Sequence, residues 1–378
     1  MRMSFRSAGW LLFLVARPLS TVLALSSPTT ISPFPGPVQP ASWFENLAVR
    51  PNGLILATRG DAPEIWQIDP ATGQGGLLVS VEGAFNLTGI AQVIPLDETD
   101  GETYVFGSSH IPAPLEVEPG SAKVWTLRFP SNPTTTTNTV GSPTVSLLAA
   151  LPSAGFINGI APWDAGRVLL SDTDAEAIYL MNVAGTTNPT SSPGTYSTPL
   201  TGLAGINGIQ TTTLTITSKT RCSESRSDEG VGGEGEGRRR TTTTGWRYIY
   251  RANHLSQTLS RIPVDSSDAT PLEPGSPPPE EVLATEQAID DFAVVVEDNQ
   301  GGGRAYIAGM YDNEVVEVVF GTEVPGVKRI IADDMSGTGT GLVTAVAFGR
   351  RPEDAGLLYA TVGQGGGSAS IVVLDPNE

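Results

Sequence analysis

The sequence predicts an all-β fold, a six-bladed β-propeller, and three observations support this prediction. The chain of 378 residues contains 43 Gly and 30 Pro, and its Val, Ile, Thr and Leu come in short bursts rather than long amphipathic windows, which is typical of strands and turns. A unit made of a polar residue, an apolar strand and two further strands recurs six times. The interval between units is roughly 40 to 80 residues, as in propeller blades. One propeller domain with a central channel is therefore expected over residues 41–378.

The first unit shows the pattern that the later units repeat. Glu45 and Asn46 lead into a short apolar run, Asn52-Gly53 follows, and an alternating strand covers residues 54–58. Asn-Gly between two such runs is a strong hairpin signal. The innermost strand of a propeller blade lines the channel, so the residues that open the units are expected to form an oxygen-rich cup at one mouth of it. These six opening residues are Glu45, Thr88, Asn158, Asn207, Asp290 and Thr344.

The N-terminal segment has the pattern of a cleavable signal peptide. Arg2 and Arg6 precede an apolar stretch, and small residues follow up to Ser26. Residues 1–26 are therefore predicted to be a signal peptide and residues 27–40 a Pro-rich lead-in, which places the protein in the secretory pathway or outside the cell. The alternative is an uncleaved signal anchor. No other segment is long and apolar enough to span a bilayer, so no membrane span is expected after cleavage.

Two low-complexity insertions interrupt the repeats, at residues 130–144 and 211–244. The first is rich in Thr, Asn and Pro, and the second in Thr, Ser, Gly, Glu and Arg. Such compositions bury too little apolar surface to become ordered, so both insertions are predicted to be disordered loops. For the second insertion, a gene-model artefact such as a retained intron is an alternative.

Charge and residue usage exclude several classes of function. The net charge of −18 argues against nucleic acid as a partner, because binding phosphates requires clustered Lys and Arg. Cys222 is the only cysteine, so no disulfide can form within the chain. The two histidines, His110 and His254, lie beside loops, and no Gly-x-Ser-x-Gly elbow occurs, so a catalytic histidine or serine is not predicted. Asn86 begins a single glycosylation sequon, usable where the chain is secreted and the loop exposed.

The openings of four units resemble those of the senescence-marker-protein/gluconolactonase-like six-bladed propellers. The residues that carry the resemblance are Glu45, Asn158-Gly159, Asn207-Gly208 and Asp290-Asp291. In that family a Glu, an Asn and an Asp from such openings bind a divalent metal. The resemblance implies Glu45, Asn207 and Asp290 as ligands of Ca²⁺ or Zn²⁺, with Asn158 near the substrate. The chain departs from the lactonase pattern in two ways: Asp291 replaces a Gly, and the Asn-Asp and Gly-Arg substrate motif is missing after Thr88.

The segments that begin at Trp43, Thr88 and Thr344 look like a fungal branch of these propellers. Members of that branch are encoded in secondary-metabolite clusters and include hetero-Diels-Alderases, which join a tropolone-derived quinone methide to a sesquiterpene such as humulene. The resemblance implies a cyclase of terpenoid metabolism that takes a hydrophobic small-molecule substrate and requires no cofactor. A metal-dependent lactonase-type hydrolase and a non-enzymatic binding propeller are the alternatives.

A cycloaddition requires an apolar pocket that holds both partners together, and hydrogen-bond donors that polarise the electron-poor partner. The expected catalytic residues are Glu45, Asn46, Asn158, Asn207 and Asp290. The residues expected to form the substrate pocket are Trp43, Phe44, Thr88, Phe156, Trp163, Phe292, Tyr311, Thr344 and, as a further donor, Arg350. Each assignment has a structural alternative, because aromatic residues of propellers commonly pack between blades and an Asn or Asp in a turn commonly bonds the local backbone.

Overall fold

The computed structural model describes fourteen stretches of the chain. They are residues 29–34, 42–97, 101–112, 116–130, 142–183, 192–221, 239–272, 280–285, 289–297, 302–309, 313–321, 327–332, 342–363 and 369–377. The predicted signal peptide, Cys222, Tyr311 and most of the 130–144 insertion lie outside the described residues. Within these stretches the structure contains no helix long and apolar enough to cross a membrane.

The described residues form twenty-four β-strands in six four-stranded antiparallel sheets. The strands are β1 Thr29–Ile31, β2 Phe44–Val49, β3 Ile55–Arg59, β4 Glu64–Asp69, β5 Gln74–Ser80, β6 Ile90–Gln92, β7 Thr103–Ser108, β8 Lys123–Arg128, β9 Thr144–Ala150, β10 Ile157–Asp164, β11 Arg167–Asp172, β12 Ala177–Asn182, β13 Tyr196–Thr201, β14 Ile206–Arg221, β15 Arg239–Asn253, β16 Thr258–Val264, β17 Glu281–Thr285, β18 Ile289–Val296, β19 Gly303–Gly309, β20 Glu314–Phe320, β21 Val327–Ala332, β22 Leu342–Phe348, β23 Leu358–Gly363 and β24 Ser370–Leu374. The all-β prediction is confirmed.

Each sheet is one blade of a six-bladed propeller, as the repeats predicted. Blades 1 to 5 are β2–β5, β6–β9, β10–β13, β14–β17 and β18–β21, in each case with the strands paired in chain order. Blade 6 combines β22, β23 and β24 with the N-terminal strand β1, which pairs with β24 from Thr29↔Val373 to Ile31↔Ile371. The two ends of the described chain therefore close the ring within one sheet.

The apolar core is divided into six clusters, one between each pair of neighbouring blades. Between blades 6 and 1, for example, Phe44 packs in one buried cluster with Tyr359. Trp163 lies in the cluster between blades 3 and 4, and Phe292 in that between blades 4 and 5, both almost completely buried. The structure thus places Phe44, Trp163 and Phe292 in the core between blades, not in the substrate pocket where the sequence predicted them.

Buried hydroxyl groups at the inner part of the blades donate to backbone carbonyls of the next blade. The donor and acceptor pairs are Thr58 Oγ1 to Thr88 O at 2.7 Å, Thr88 Oγ1 to Ile157 O at 2.6 Å, Ser171 Oγ to Asn207 O at 2.6 Å and Thr344 Oγ1 to Phe44 O at 2.7 Å. All four donors are buried. The hydroxyls of Thr88 and Thr344 therefore stabilise blade contacts, which corrects their predicted place in the substrate pocket.

Replacing Thr344 by Val is expected to lower the free energy of unfolding by about 1–3 kcal/mol. The change keeps the shape of the side chain but leaves the buried carbonyl of Phe44 without its hydroxyl donor. Urea denaturation measures the loss, with Thr30→Val on the exposed face of β1 as the control, for which we expect a change within about 0.5 kcal/mol. Equal losses in the two variants would contradict the role assigned to Thr344.

The second insertion differs from its prediction where the structure describes it. β14 and β15 continue as a paired hairpin from Ile209↔Arg251 out to Arg221↔Arg239, so the backbone over 211–221 and 239–244 is extended and paired rather than disordered. Both arms are rich in Thr, and β-branched residues favour strands. This preference outweighs the low complexity of the sequence. Residues 222–238 lie outside the described chain.

Candidate active site

A β-bulge occurs at the opening of the inner strand in five blades. The pairing register shifts at Glu45 in blade 1, at Asn158-Gly159 in blade 3, at Asn207-Gly208 in blade 4, at Asp290-Asp291 in blade 5 and at Thr344 in blade 6. A bulge leaves the extra residue out of the ladder and redirects its side chain. The repeated bulge therefore sets the direction of the polar side chains at the openings.

The opening residues all lie at one mouth of the channel, which we call the entrance. The starts of β22 and β2 meet through Thr344 and Phe44, and their ends meet where Arg350 donates to Val49 O at 3.3 Å, so the inner strands run in the same direction. Arg350 consequently lies at the opposite mouth, where it is exposed and also bonds Gln92. It is not brought together with the opening residues, contrary to its prediction as a donor in the pocket.

The centre of the entrance holds a group of five buried polar side chains, the axial cluster. Its members are Glu45, Asn46, Asn207, Asp290 and Asp291, each less than a tenth exposed. Asn46 donates its amide to Asp291 Oδ2, although blades 1 and 5 are not neighbours in the ring. The contact therefore crosses the channel in front of blade 6, and the cluster is built from blades 1, 4 and 5.

Burial and mutual repulsion keep the carboxyl groups of this cluster partly protonated. Desolvation, followed by the negative charge of Asp291, raises the pKa of Glu45 to about 7, and the Trp43 side chain opposes the rise. Desolvation also raises the pKa of Asp291 to about 6, against hydrogen bonds from Asn46 and from the backbone of Phe292. The pKa of Asp290 is raised well above its usual range by desolvation and then by the charges of Glu45 and Asp291, against a hydrogen bond from Asn207. Near neutral pH the cluster thus contains both neutral acid and carboxylate.

Several atoms of the cluster lack a hydrogen-bond partner among the described residues. They are Glu45 Oε2, Asn207 Oδ1, Asp290 Oδ2, Asp291 Oδ1 and, beside them, Trp43 Nε1. Unpaired buried polar atoms cost stability and are rare in folded proteins. Their concentration at one mouth is what a binding site for a polar group requires.

The oxygen atoms of the cluster fit a hard cation in their chemistry, because Ca²⁺ takes carboxylate and amide oxygens. Glu45, Asn207 and Asp290 are the three that the family resemblance implied. Nevertheless, over the stretches that the structure describes, no three His, Cys, Asp or Glu side chains form a compact group of metal ligands.

Asn158 lies at the edge of the entrance beside a loop held by Asp172. Asn158 donates to Thr173 Oγ1 at 3.5 Å. The carboxylate of Asp172 accepts the backbone N–H groups of Gly155 at 3.0 Å and Phe156 at 3.1 Å. Phe156 is thereby held half-buried at the entrance, and its place in the pocket wall stays a prediction. Asp172 was missed because a strand-end Asp carries no signal of what its carboxylate accepts.

The rim of the entrance is apolar in places that the sequence did not single out. Phe85, in the crossover before β6, is 58% exposed and stacks on His110 with ring centroids 3.9 Å apart. Leu255, in the turn after β15, is 67% exposed. Both loops join strand ends at the same mouth as Glu45. Both side chains are therefore exposed on the entrance face of the propeller.

The glycosylation sequon is packed inside the fold. Asn86 is 5% exposed, and its Oδ1 accepts the backbone N–H of Ser109 at 3.1 Å. Thr88, the third residue of the sequon, is also buried. In the folded protein the Asn86 amide is therefore not accessible for glycosylation.

The fold and the site together define a six-bladed β-propeller with a polar axial site at one mouth. No protein-family model matches the chain. In sequence it is similar to the "Putative hetero-Diels-Alderase" of Phoma sp, with 29% identity over 138 residues, which is 35% of this chain and 36% of that protein. The match thus covers about a third of the relative.

Solved structures with the same fold have much lower sequence identity. One is the calcium-binding protein regucalcin from Agrobacterium tumefaciens, with a TM-score of 0.51, 13% identity and coverage of 92% of this chain and 97% of that one. A second is a luciferin-regenerating enzyme, with a TM-score of 0.53, 13% identity and coverage of 92% and 95%. A third is the allergen Mala s 1 of Malassezia sympodialis, with a TM-score of 0.53, 12% identity and coverage of 93% and 97%. These similarities agree with the resemblance found in the sequence and concern the fold.

Proposed function

We propose that the protein is an enzyme that binds a hydrophobic small molecule at the entrance and promotes a hetero-Diels-Alder type cycloaddition at the axial cluster. A quinone methide derived from a tropolone and a sesquiterpene are an example of the two partners. The name of the Phoma sp relative supports the reaction type. The observation that carries the proposal is the burial of Glu45 at the entrance, with its Oε2 unpartnered among the described residues. Its pKa, raised to about 7, keeps a large fraction of the group protonated near neutral pH, and the protonated form can donate a hydrogen bond.

A neutral Glu45 matches what a cycloaddition asks of a protein. The reaction needs no net proton transfer, so the protein contributes by holding both partners in a reactive arrangement and by polarising the electron-poor one. A carboxylic acid kept neutral by its surroundings can donate a hydrogen bond to a carbonyl oxygen. The indole N–H of Trp43, which faces Glu45, is a second donor. Phe85 and Phe156 would contact the apolar partner.

A second candidate function, a metal-dependent lactonase-type hydrolase, is favoured by the unpaired oxygens of the cluster. Glu45, Asn207 and Asp290 would hold the Ca²⁺ or Zn²⁺. The metal would supply Lewis-acid polarisation of a lactone carbonyl. The residues present would otherwise act by orienting the substrate at the entrance.

Chelation separates the two candidates. We expect protein treated with EDTA to accelerate the addition of an o-quinone methide to humulene as well as untreated protein does, and to leave gluconolactone unhydrolysed. Arg350→Ala, at the opposite mouth, is the control variant and should keep the full rate. Hydrolysis of gluconolactone that EDTA abolishes and Ca²⁺ restores would favour the hydrolase. No turnover of either substrate would contradict both and leave a binding propeller.

A further inference from the structure

Asp291 occupies a position that two other blades fill with glycine. In the bulges of blades 3 and 4 the residue after the opening Asn is Gly159 or Gly208, whereas in blade 5 it is Asp291. Its carboxylate is buried, so blade 5 contributes two carboxylates where blades 3 and 4 contribute one amide each. Burying a carboxylate that has no opposite charge beside it costs free energy. A specific role for Asp291 is therefore expected.

The neighbouring blade makes room for this carboxylate. A Cβ atom added at Gly208 would overlap Asp291 Oδ1 and would lie 2.8 Å from its Cγ. The same Cβ would lie 2.9 Å from the Asp291 Cα atom, so a residue larger than Gly at position 208 would displace the backbone of Asp291 as well as its side chain. Gly208 and Asp291 thus fit each other across the contact between blades 4 and 5.

The other oxygen of Asp291 holds the bulge that contains Glu45. Asn46 donates its amide to Asp291 Oδ2, and its own Oδ1 accepts the backbone N–H of Leu47 at 2.8 Å. Both ends of the Asn46 side chain are therefore fixed. Glu45 is the extra residue of the same bulge, between Phe44 and Asn46, and its Oε2 makes no hydrogen bond to any residue that the structure describes.

We infer that Asp291 is a positioning residue for Glu45 and acts through a clasp of Gly208, Asp291 and Asn46 across the channel. The clasp ties the blade 1 bulge to blades 4 and 5 and so fixes the direction in which Glu45 meets the substrate. This inference rests on the proposed function, in which Glu45 is the group that polarises the substrate. A shift of the polarising group by about 1 Å is enough to cost a reaction about a hundredfold.

The clasp predicts a specific pattern in four variants. Asp291→Gly, which copies blades 3 and 4, should lower kcat about tenfold to a hundredfold and leave KM nearly unchanged. Asp291→Asn keeps an acceptor for the Asn46 amide and should recover most of kcat when assayed at pH 5, where loss of the Asp291 charge has the least effect on the protonation of Glu45. Asn46→Ala should lose as much as Asp291→Gly, and the double variant should lose no more than either, because both remove the same contact. A merely structural role would instead lower stability, whereas Asp291→Gly removes a buried carboxylate and should leave the urea midpoint unchanged or higher.

The remaining outcomes distinguish a failure of the clasp from a failure of the proposed function. Additive losses of kcat in the double variant, or an unaltered kcat in Asp291→Gly, would overturn the clasp. If wild-type protein does not catalyse the addition of humulene to an o-quinone methide, the proposed function fails. In that case the side-chain amide signals of Asn46 in NMR spectra still test the contact: they should shift in Asp291→Gly and Gly208→Ala but not in the control Arg350→Ala, and unshifted signals would refute it.

Discussion

The turnover rate of the wild-type protein is expected to fall about tenfold for each pH unit above about 7 and to be constant below it. In the proposed reaction Glu45, with a pKa of about 7, donates a hydrogen bond to the substrate only when it is protonated. Above this pH the fraction of neutral acid falls tenfold per unit. The rate of cycloaddition above the uncatalysed background, measured between pH 5 and 9, checks this expectation.

Substitutions of Glu45 make the test specific. Glu45→Gln keeps a donor of the same shape but cannot titrate, so its rate should be independent of pH and within about tenfold of the wild-type rate at pH 5. Glu45→Ala removes the donor and should lose about 10²–10³-fold at every pH. If Glu45 instead bound a metal ion, Glu45→Gln should lose most of the activity at every pH, because an amide is a poorer ligand than a carboxylate. The same fall in rate above pH 7 in Glu45→Gln would remove Glu45 from the mechanism.

Glu45→Gln is also expected to stabilise the protein at alkaline pH, on the order of 3 kcal/mol at pH 8. The pKa of Glu45 rises from 4.5 in the unfolded chain to about 7 in the folded one, so between these values the folded state binds more protons than the unfolded state. The free energy of unfolding therefore falls as the pH rises from about 4.5 to about 7. Above pH 7 it stays lower than at pH 4 by a constant amount. Gln removes this loss because it carries no charge at any pH.

Urea denaturation of wild type and Glu45→Gln at pH 4, 6 and 8 measures this difference. The two proteins should have similar stability at pH 4 and diverge towards pH 8. Glu353→Gln, at a side chain that is 64% exposed, is the matched control and should show no such divergence. Destabilisation by Glu45→Gln at pH 8 would show that the carboxylate is favourably bound in the fold, as a cation ligand would be.

The blade pattern of this fold could be predicted from the sequence because each blade repeats the same local signals. Asn52-Gly53 and the alternating strand that follows encode a hairpin by local chemistry, and the structure has a turn there between β2 and β3. The opening residues Glu45, Asn207 and Asp290 were found in the same way, since a polar residue before an apolar strand is visible in the sequence. The convergence of these residues followed from the symmetry of the fold.

The details of the site could not be predicted because bulges break the alternation of the strands. Phe44 and Phe292 flank the polar openings in sequence, yet the bulge turns them into the core between blades. Asp291 was noticed only as a departure from a family pattern, and its partner Asn46 is 245 residues away. Phe85 was overlooked because nothing local distinguishes an exposed rim aromatic from a buried one.

Measuring the protonation state of Glu45 tests its proposed role as a neutral hydrogen-bond donor most directly. Carboxyl ¹³C signals of selectively labelled glutamate, followed by NMR from pH 4 to 9, give the pKa of Glu45 by comparison with the spectrum of Glu45→Gln. We predict a titration near pH 7, because Glu45 is buried and faces the carboxyl groups of Asp290 and Asp291. A Glu45 that titrates at or below pH 4.5 would contradict the neutral donor, and with it the proposed role of the axial cluster in the reaction.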